Sequence, residues 1–132
     1  MGKVEPNNFK LLENRLKAFV GLLGLTITGR PSLLAPLRHV AAIEHLKEEL
    51  TELSRAETIE DQGDALTDLA YVALRALTEM GISPEAALLE VSRANSEKVR
   101  GSHAKRPGAL NHDAVKPSSW VPPNWEQIIA QS

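Results

Sequence analysis

The chain contains no cysteine. Disulfides, a thiolate zinc site and a thiol nucleophile are therefore excluded. Aromatic residues make up only 4%, and the apolar set is dominated by Leu and Ala, which favours helices over sheets. Long hydrophobic runs are missing too. The longest, Ala18 to Ile27, is far short of the roughly 20 residues that cross a bilayer. The opening Met1 to Pro6 is polar and lacks an apolar signal core, and Pro6 breaks the myristoylation pattern. Charge is nearly balanced at −2, so no global field draws nucleic acid. No P-loop, dinucleotide fingerprint or Gly-x-Ser-x-Gly elbow occurs. With 132 residues, 42% hydrophobic and 24% charged, the expectation is one soluble, cytosolic domain with a real core and no membrane association.

What is present is helical text. Asn7 or Asn8 can cap a first helix whose stripe is Leu12, Leu16, Phe19 and Leu23. Thr26 to Pro36, with Gly29 and Pro31, reads as a loop. A second helix starts near Pro36 with Ile43, Leu46, Leu50 and Leu53 as its apolar stripe. Thr58 caps a third, in which Ile59, Leu66, Leu69, Ala70, Ala73 and Leu77 form a wide face. Between Leu69 and Leu77 the only charge is Arg75, so most sides of this helix should be buried. Gly81 stops it, and Ser83-Pro84 starts a fourth.

Two acidic clusters lie on the second and third helices: Glu48, Glu49 and Glu52, then Asp61, Asp64 and Asp68. Residues three or four apart share a helix face, so each cluster forms a patch, and antiparallel helices would bring the patches together. Two unit charges about 4 Å apart repel by roughly 4 kcal/mol at an effective dielectric near 20. Hence several carboxylates converge only around a cation, and oxygen ligands without His or Cys suit Mg²⁺ or Mn²⁺. The competing reading is a solvated acidic face: Glu48 and Glu52 lie opposite the apolar stripe, with Glu49 at its flank. Asp61 is better explained as part of the Thr58 cap. Because Asp64 and Asp68 sit beside the apolar stretch, burial favours a bound cation there. None of the four histidines shows ligand spacing to another.

On the fourth helix Leu88, Val91, Asn95 and Lys98 share a stripe that turns polar at its end. Inward-facing Asn and Lys need partners, either a phosphate or nucleotide, or water reached by Lys98 at a frayed end. Arg93 and Glu97 read as an outward i,i+4 pair. Beyond Arg100 the chain becomes a basic arm with Lys105, Arg106 and Lys116, broken by Gly101, Pro107, Gly108 and Pro117. That arm either folds over an anion or is a solvated tail. Trp120 and Trp125 should dock on the body or on a second subunit, and Trp125 opens a short last helix. The organisation expected is a single domain 1–132, with a bundle over 7–100 and the basic, Trp-containing arm over 101–132.

Four motifs in order, Glu48-Glu49-x-x-Glu52, Asp64-Ala-Leu-Thr-Asp68-Leu-Ala-Tyr71, Glu90-Val-Ser-Arg93-Ala-Asn95-Ser-Glu-Lys98 and Lys116-Pro-x-x-Trp120-x-Pro122, resemble the MazG-like all-α nucleoside triphosphate pyrophosphatases. The branch they are most similar to holds phosphoribosyl-ATP pyrophosphohydrolase-like and dUTPase-like members. The resemblance, spanning roughly residues 16–125, implies an all-α bundle of four to five helices that forms a homodimer or a dimer of dimers. It implies Mg²⁺-dependent cleavage between the α- and β-phosphates of a nucleotide, giving a monophosphate and pyrophosphate. On this chain the implied metal ligands are Glu48, Glu49, Glu52, Asp64 and Asp68. Glu49 and Lys98 are the implied catalytic pair, and Asn95, Lys98 and Arg93 the nucleotide contacts. One departure stands out: many members carry Glu three residues before the last Asp, where this chain has Ala65, and Asp64 is the substitute. House-cleaning of nucleoside triphosphates is the expected role. The alternatives are phosphoribosyl-ATP hydrolysis, a helical interaction module whose metal site has decayed, and a nucleic-acid contact through the basic arm, against which the net charge speaks.

Overall fold

Local chemistry sets the helix boundaries. In the computed structural model, which describes residues 8–27 and 29–132, α1 spans Asn8–Leu22, α2 Pro36–Arg55, α3 Ile59–Glu79, α4 Pro84–Ser96 and α5 Trp125–Ala130. Asn7 and the polar opening fall outside the described residues. Pro36 and Pro84 occupy first-turn positions that need no N–H partner. Thr58 Oγ1 accepts the Asp61 N–H at 3.0 Å, and Ser83 Oγ accepts the Ala86 N–H at 3.1 Å. Caps of this kind are worth about 1 kcal/mol each. At the far end of α3, Gly81 takes φ +79°, the left-handed region open to glycine. It lets the Ile82 N–H reach back to the Leu77 carbonyl and the Gly81 N–H to that of Thr78, both at 3.0 Å.

Helices α2 and α3 pair antiparallel through a short turn. The start of α2 is tied to the end of α3 where Arg38 Nη2 donates to Glu79 Oε1 at 2.6 Å. On α3 rests α1, with Phe19 edge-on to Tyr71 at 5.6 Å between centroids. The buried Glu13 fastens α1 to α4: its Oε2 accepts from Ser83 Oγ at 2.8 Å and from the Glu85 N–H at 3.2 Å. A carboxylate at a helix N-terminus is favoured by both the free N–H groups and the helix dipole. Ile82, Ala87 and Ile128 make a small core that closes α5 onto Leu77 and Met80. The all-α expectation holds. No described helix is long and apolar enough to cross a membrane.

A small antiparallel ribbon was not expected. Strands β1, Val99–Gly101, and β2, Asp113–Val115, pair with Val99 opposite Val115 and Gly101 opposite Asp113. The breakers in the arm end helix formation as read, and the two valines then pair across. A Cβ on Gly101 would sit 3.1 Å from Val115 Cγ2, so the strands approach closely there. The arm is anchored: the Trp120 indole N–H donates to the Ala94 carbonyl at 2.6 Å. Trp125 does open α5, but it remains exposed.

Several stripes rotate relative to the sequence pattern. In α1 the buried positions are Glu13, Leu16 and Val20, while Leu23 lies past the helix end and is exposed. In α2 Ala42 and Glu49 are buried and Leu46 and Leu53 half-buried, whereas Ile43 and Leu50 point outward. In α3 the inner positions are Ala65, Val72, Arg75 and Thr78, and Ile59 and Leu66 are exposed. In α4 Ala87 and Ala94 face in, and Leu88 and Asn95 face out. In α2 and α4 small residues take the inner positions, Ala42 in the one and Ala87 and Ala94 in the other, and larger aliphatics lie on flanks that this one chain leaves uncovered.

Candidate active site

The α2–α3 register assembles the acidic centre. Glu49 lies eleven residues after Arg38, and Asp68 eleven before Glu79, so the two contacts are rungs of one antiparallel pair. One oxygen from each of Glu49, Glu52 and Asp68 comes within 4.8 Å of the others. Glu49 is only 8% exposed, Asp68 is half-buried and Glu52 is exposed. One turn earlier, His45 Nε2 lies 3.5 Å from Glu49 Oε1. The other carboxylate oxygen, Oε2, is buried without a hydrogen-bond partner.

Burial is the main reason that the Glu49 pKa is raised. The neighbouring Glu52 and Asp68 carboxylates push it further up, and His45 pulls it partly back. An ionised carboxylate in such company lacks compensation. A divalent cation between the three side chains would supply it. The donor set consists of hard oxygens, one of them buried and unpartnered, and fits Mg²⁺ or Mn²⁺ rather than a soft metal.

The structure does not bring every expected acid to this point. Glu48 is exposed and stands outside the triad. Asp64 is exposed as well; with Glu52, Arg55 and Asp61 it lines an adjoining hollow of about 290 Å³. Ala65, three residues before Asp68, is buried in α3. Asn95 is exposed just before α4 ends at Ser96; Lys98, expected on the same helix, lies beyond its end, half-buried with Nζ 5.3 Å from the Trp120 ring centre. Arg93 is more engaged than an outward i,i+4 pair implies. Its guanidinium grips Glu90 at 2.8 and 3.0 Å and Glu97 at 3.1 Å, and also donates to the Val121 and Pro122 carbonyls. Glu90 in turn accepts the Asn124 N–H at 2.6 Å. Arg93 therefore buckles the tail onto α4.

Two charged residues escaped the sequence reading. His45 gave a signal in its i,i+4 spacing to Glu49. Arg75 was visible as the lone charge in the apolar stretch of α3. It is buried, its Nε has no hydrogen-bond partner, and that atom lies 3.8 Å from Glu79 Oε1. Arg38 and Arg75 thus share one carboxylate at the far end of the helix pair from the α2–α3 turn.

A profile of the phosphoribosyl-ATP pyrophosphohydrolase family matches residues 16–95. That span takes in α2, α3 and nearly all of α4, and ends before Lys98 and the β-ribbon. A comparison with curated proteins finds no match. The chain belongs to the phosphoribosyl-ATP pyrophosphohydrolase family, within the MazG-like all-α pyrophosphatase superfamily, and so to the hydrolases acting on phosphorus anhydrides.

Proposed function

We propose, taking that membership as the premise, that the protein is a Mg²⁺-dependent nucleotide pyrophosphohydrolase that cuts between the α- and β-phosphates of a nucleoside triphosphate. The observation that carries the reading is the Glu49–Glu52–Asp68 triad with its buried, unpartnered oxygen. Glu49, Glu52 and Asp68 would hold the ion, which would neutralise charge on the phosphate chain. Glu49, the most buried acid of the triad, is the carboxylate placed to take a proton from the attacking water. Lys98 offers positive charge to the departing pyrophosphate, and Asn95, on the last turn of α4, faces the nucleotide. Glu48 and Asp64 serve as outer acids around the same centre. The working form is a homodimer: Leu37, Val40, Ile43 and Leu50 make an exposed aliphatic stripe along α2, of a kind that marks an interaction surface.

A second reading, phosphoribosyl-ATP as substrate, is favoured by the family match over residues 16–95. The bond broken is the same. The test is pyrophosphate release by purified protein with Mg²⁺ against a panel of nucleoside triphosphates and phosphoribosyl-ATP. Turnover of triphosphates supports the first reading, and turnover of phosphoribosyl-ATP alone the second. Release from none of them overturns both and leaves a helical interaction module.

A further inference from the structure

A basic hollow lies beyond the stretch matched by the family. It has a volume of about 540 Å³ and is lined by Lys98, His103, Lys105, Arg106 and Lys116, with the small Ser102, Ala104 and Ala114 between them. No carboxylate is among the described residues that line it. The nearest acid along the ribbon, Asp113, is already held by Arg106 at 2.6 and 3.2 Å, and it also accepts the Ala114 N–H at 2.8 Å. That bidentate pair closes the loop between β1 and β2 and sets the wall of the hollow.

The cations are placed, not merely numerous. Lys98 Nζ and Lys116 Nζ converge on one indole, 5.3 and 4.7 Å from the Trp120 centre. Trp120 is itself fixed by its bond to the Ala94 carbonyl. Two ammonium groups gathered at one ring repel each other, and the ring's negative face offsets only part of that repulsion. His103, also in the lining, is turned by the bond from the Lys105 N–H to its Nδ1, at 3.1 Å. Such a concave, polar surface with several cations from separate segments matches a compact polyanion. An extended nucleic acid would need a longer basic track.

We propose that this hollow is a phosphate-chain site, taking the di- or triphosphate of a nucleotide or the pyrophosphate released from it, with Lys98, Lys105 and Lys116 as its principal contacts. That the chain belongs to the substrate rests on the proposed hydrolase reading. The binding itself does not.

The experiment uses the full chain in EDTA, so that the acidic triad holds no metal, with Trp125→Phe to leave Trp120 as the sole indole. Inorganic pyrophosphate, tripolyphosphate and sulfate are titrated while the Trp120 emission is followed. The expected result is a saturable change with pyrophosphate and tripolyphosphate, far weaker with sulfate and falling with added salt. Lys105→Gln and Lys116→Gln should each weaken it about fivefold, and Asp68→Asn should leave it unchanged. Calorimetric titration of the same variants reads binding without relying on the indole. If substrate phosphates are the ligand, Lys105→Gln raises KM; if pyrophosphate is, it raises the product-inhibition constant instead. Absence of saturable binding by both readouts, equal binding in both lysine variants, or preference for a single-stranded oligonucleotide over tripolyphosphate overturns the proposal. No pyrophosphate release by the parent protein with Mg²⁺, together with intact polyphosphate binding, would sink the hydrolase reading and leave this site standing.

Discussion

Glu49 and Asp68 meet across the α2–α3 contact because Arg38 and Glu79, eleven residues away on each helix, lock the same register. The first is buried and the second half-buried. A pair of carboxylates so placed opposes folding unless something positive joins it, and the following consequences derive from that.

Removing one charge should separate function from stability. Glu49→Gln and Asp68→Asn are expected to lower pyrophosphate release by about a hundredfold or more with unchanged helical circular dichroism. In EDTA, Asp68→Asn should melt about 3 °C higher than the parent, because a like-charge contact is gone. Mg²⁺ should raise the melting temperature of the parent and not of the variant. Wild-type turnover in either variant would show that the residue has been given the wrong role.

The pH dependence follows from the sign of the Glu49 shift. A raised pKa in the folded state means that the native protein holds a proton the unfolded chain has already released. The Glu49 contribution to metal-free stability should therefore be fully present below the ordinary glutamate range and lost as pH rises through the raised folded pKa. Glu90 and Asp113 act in the opposite sense. Arg93 lowers the first and Arg106 the second, so their contribution is present above the ordinary carboxylate range and lost as pH falls through their folded values. Melting temperature against pH in EDTA, for the parent and Glu49→Gln, checks this: the variant should lose the decline on the higher-pH side and keep the acid limb.

The exposed stripe on α2 predicts self-association. Leu50 is 57% exposed in the single chain, and Leu37, Val40 and Ile43 continue the same helix surface. Sedimentation should give a dimer at micromolar concentration, and Leu50→Glu should weaken it by about tenfold or more. A stable monomer of the parent at that concentration would refute the dimer.

Trp120 should act as the pin of the arm. Trp120→Phe keeps a ring beside Lys98 and Lys116 but removes the bond to the Ala94 carbonyl, at a cost of about 1 kcal/mol. Amide exchange should accelerate across residues 99–115 and stay unchanged in α1 to α3. Equal protection in the variant would mean that the Arg93–Glu90 buckle alone holds the arm.

Boundaries were the part of the fold most open to sequence reasoning. Pro36, Thr58, Gly81 and Ser83-Pro84 act within their own turn of chain, and each does in the structure what its residue type favours. The direction each helix face points was less accessible, since it depends on partners far along the chain. Spacing put Glu49 at a flank of α2, yet it is buried, because Ala42 and Ala65 let the helices close around it. Asp64 shared a stripe with Asp68 by spacing, but only Asp68 joins the triad. The ribbon and its basic hollow depend on Arg106 reaching Asp113 and on Trp120 finding Ala94, contacts that no periodicity encodes.

Titration with Mn²⁺, followed by electron paramagnetic resonance of the free ion, tests the metal centre most directly. The account predicts saturable binding by the parent, displacement by Mg²⁺, and at least about a tenfold loss of affinity in Glu52→Gln and in Asp68→Asn. Binding of equal strength in both variants, or none by the parent, would contradict it.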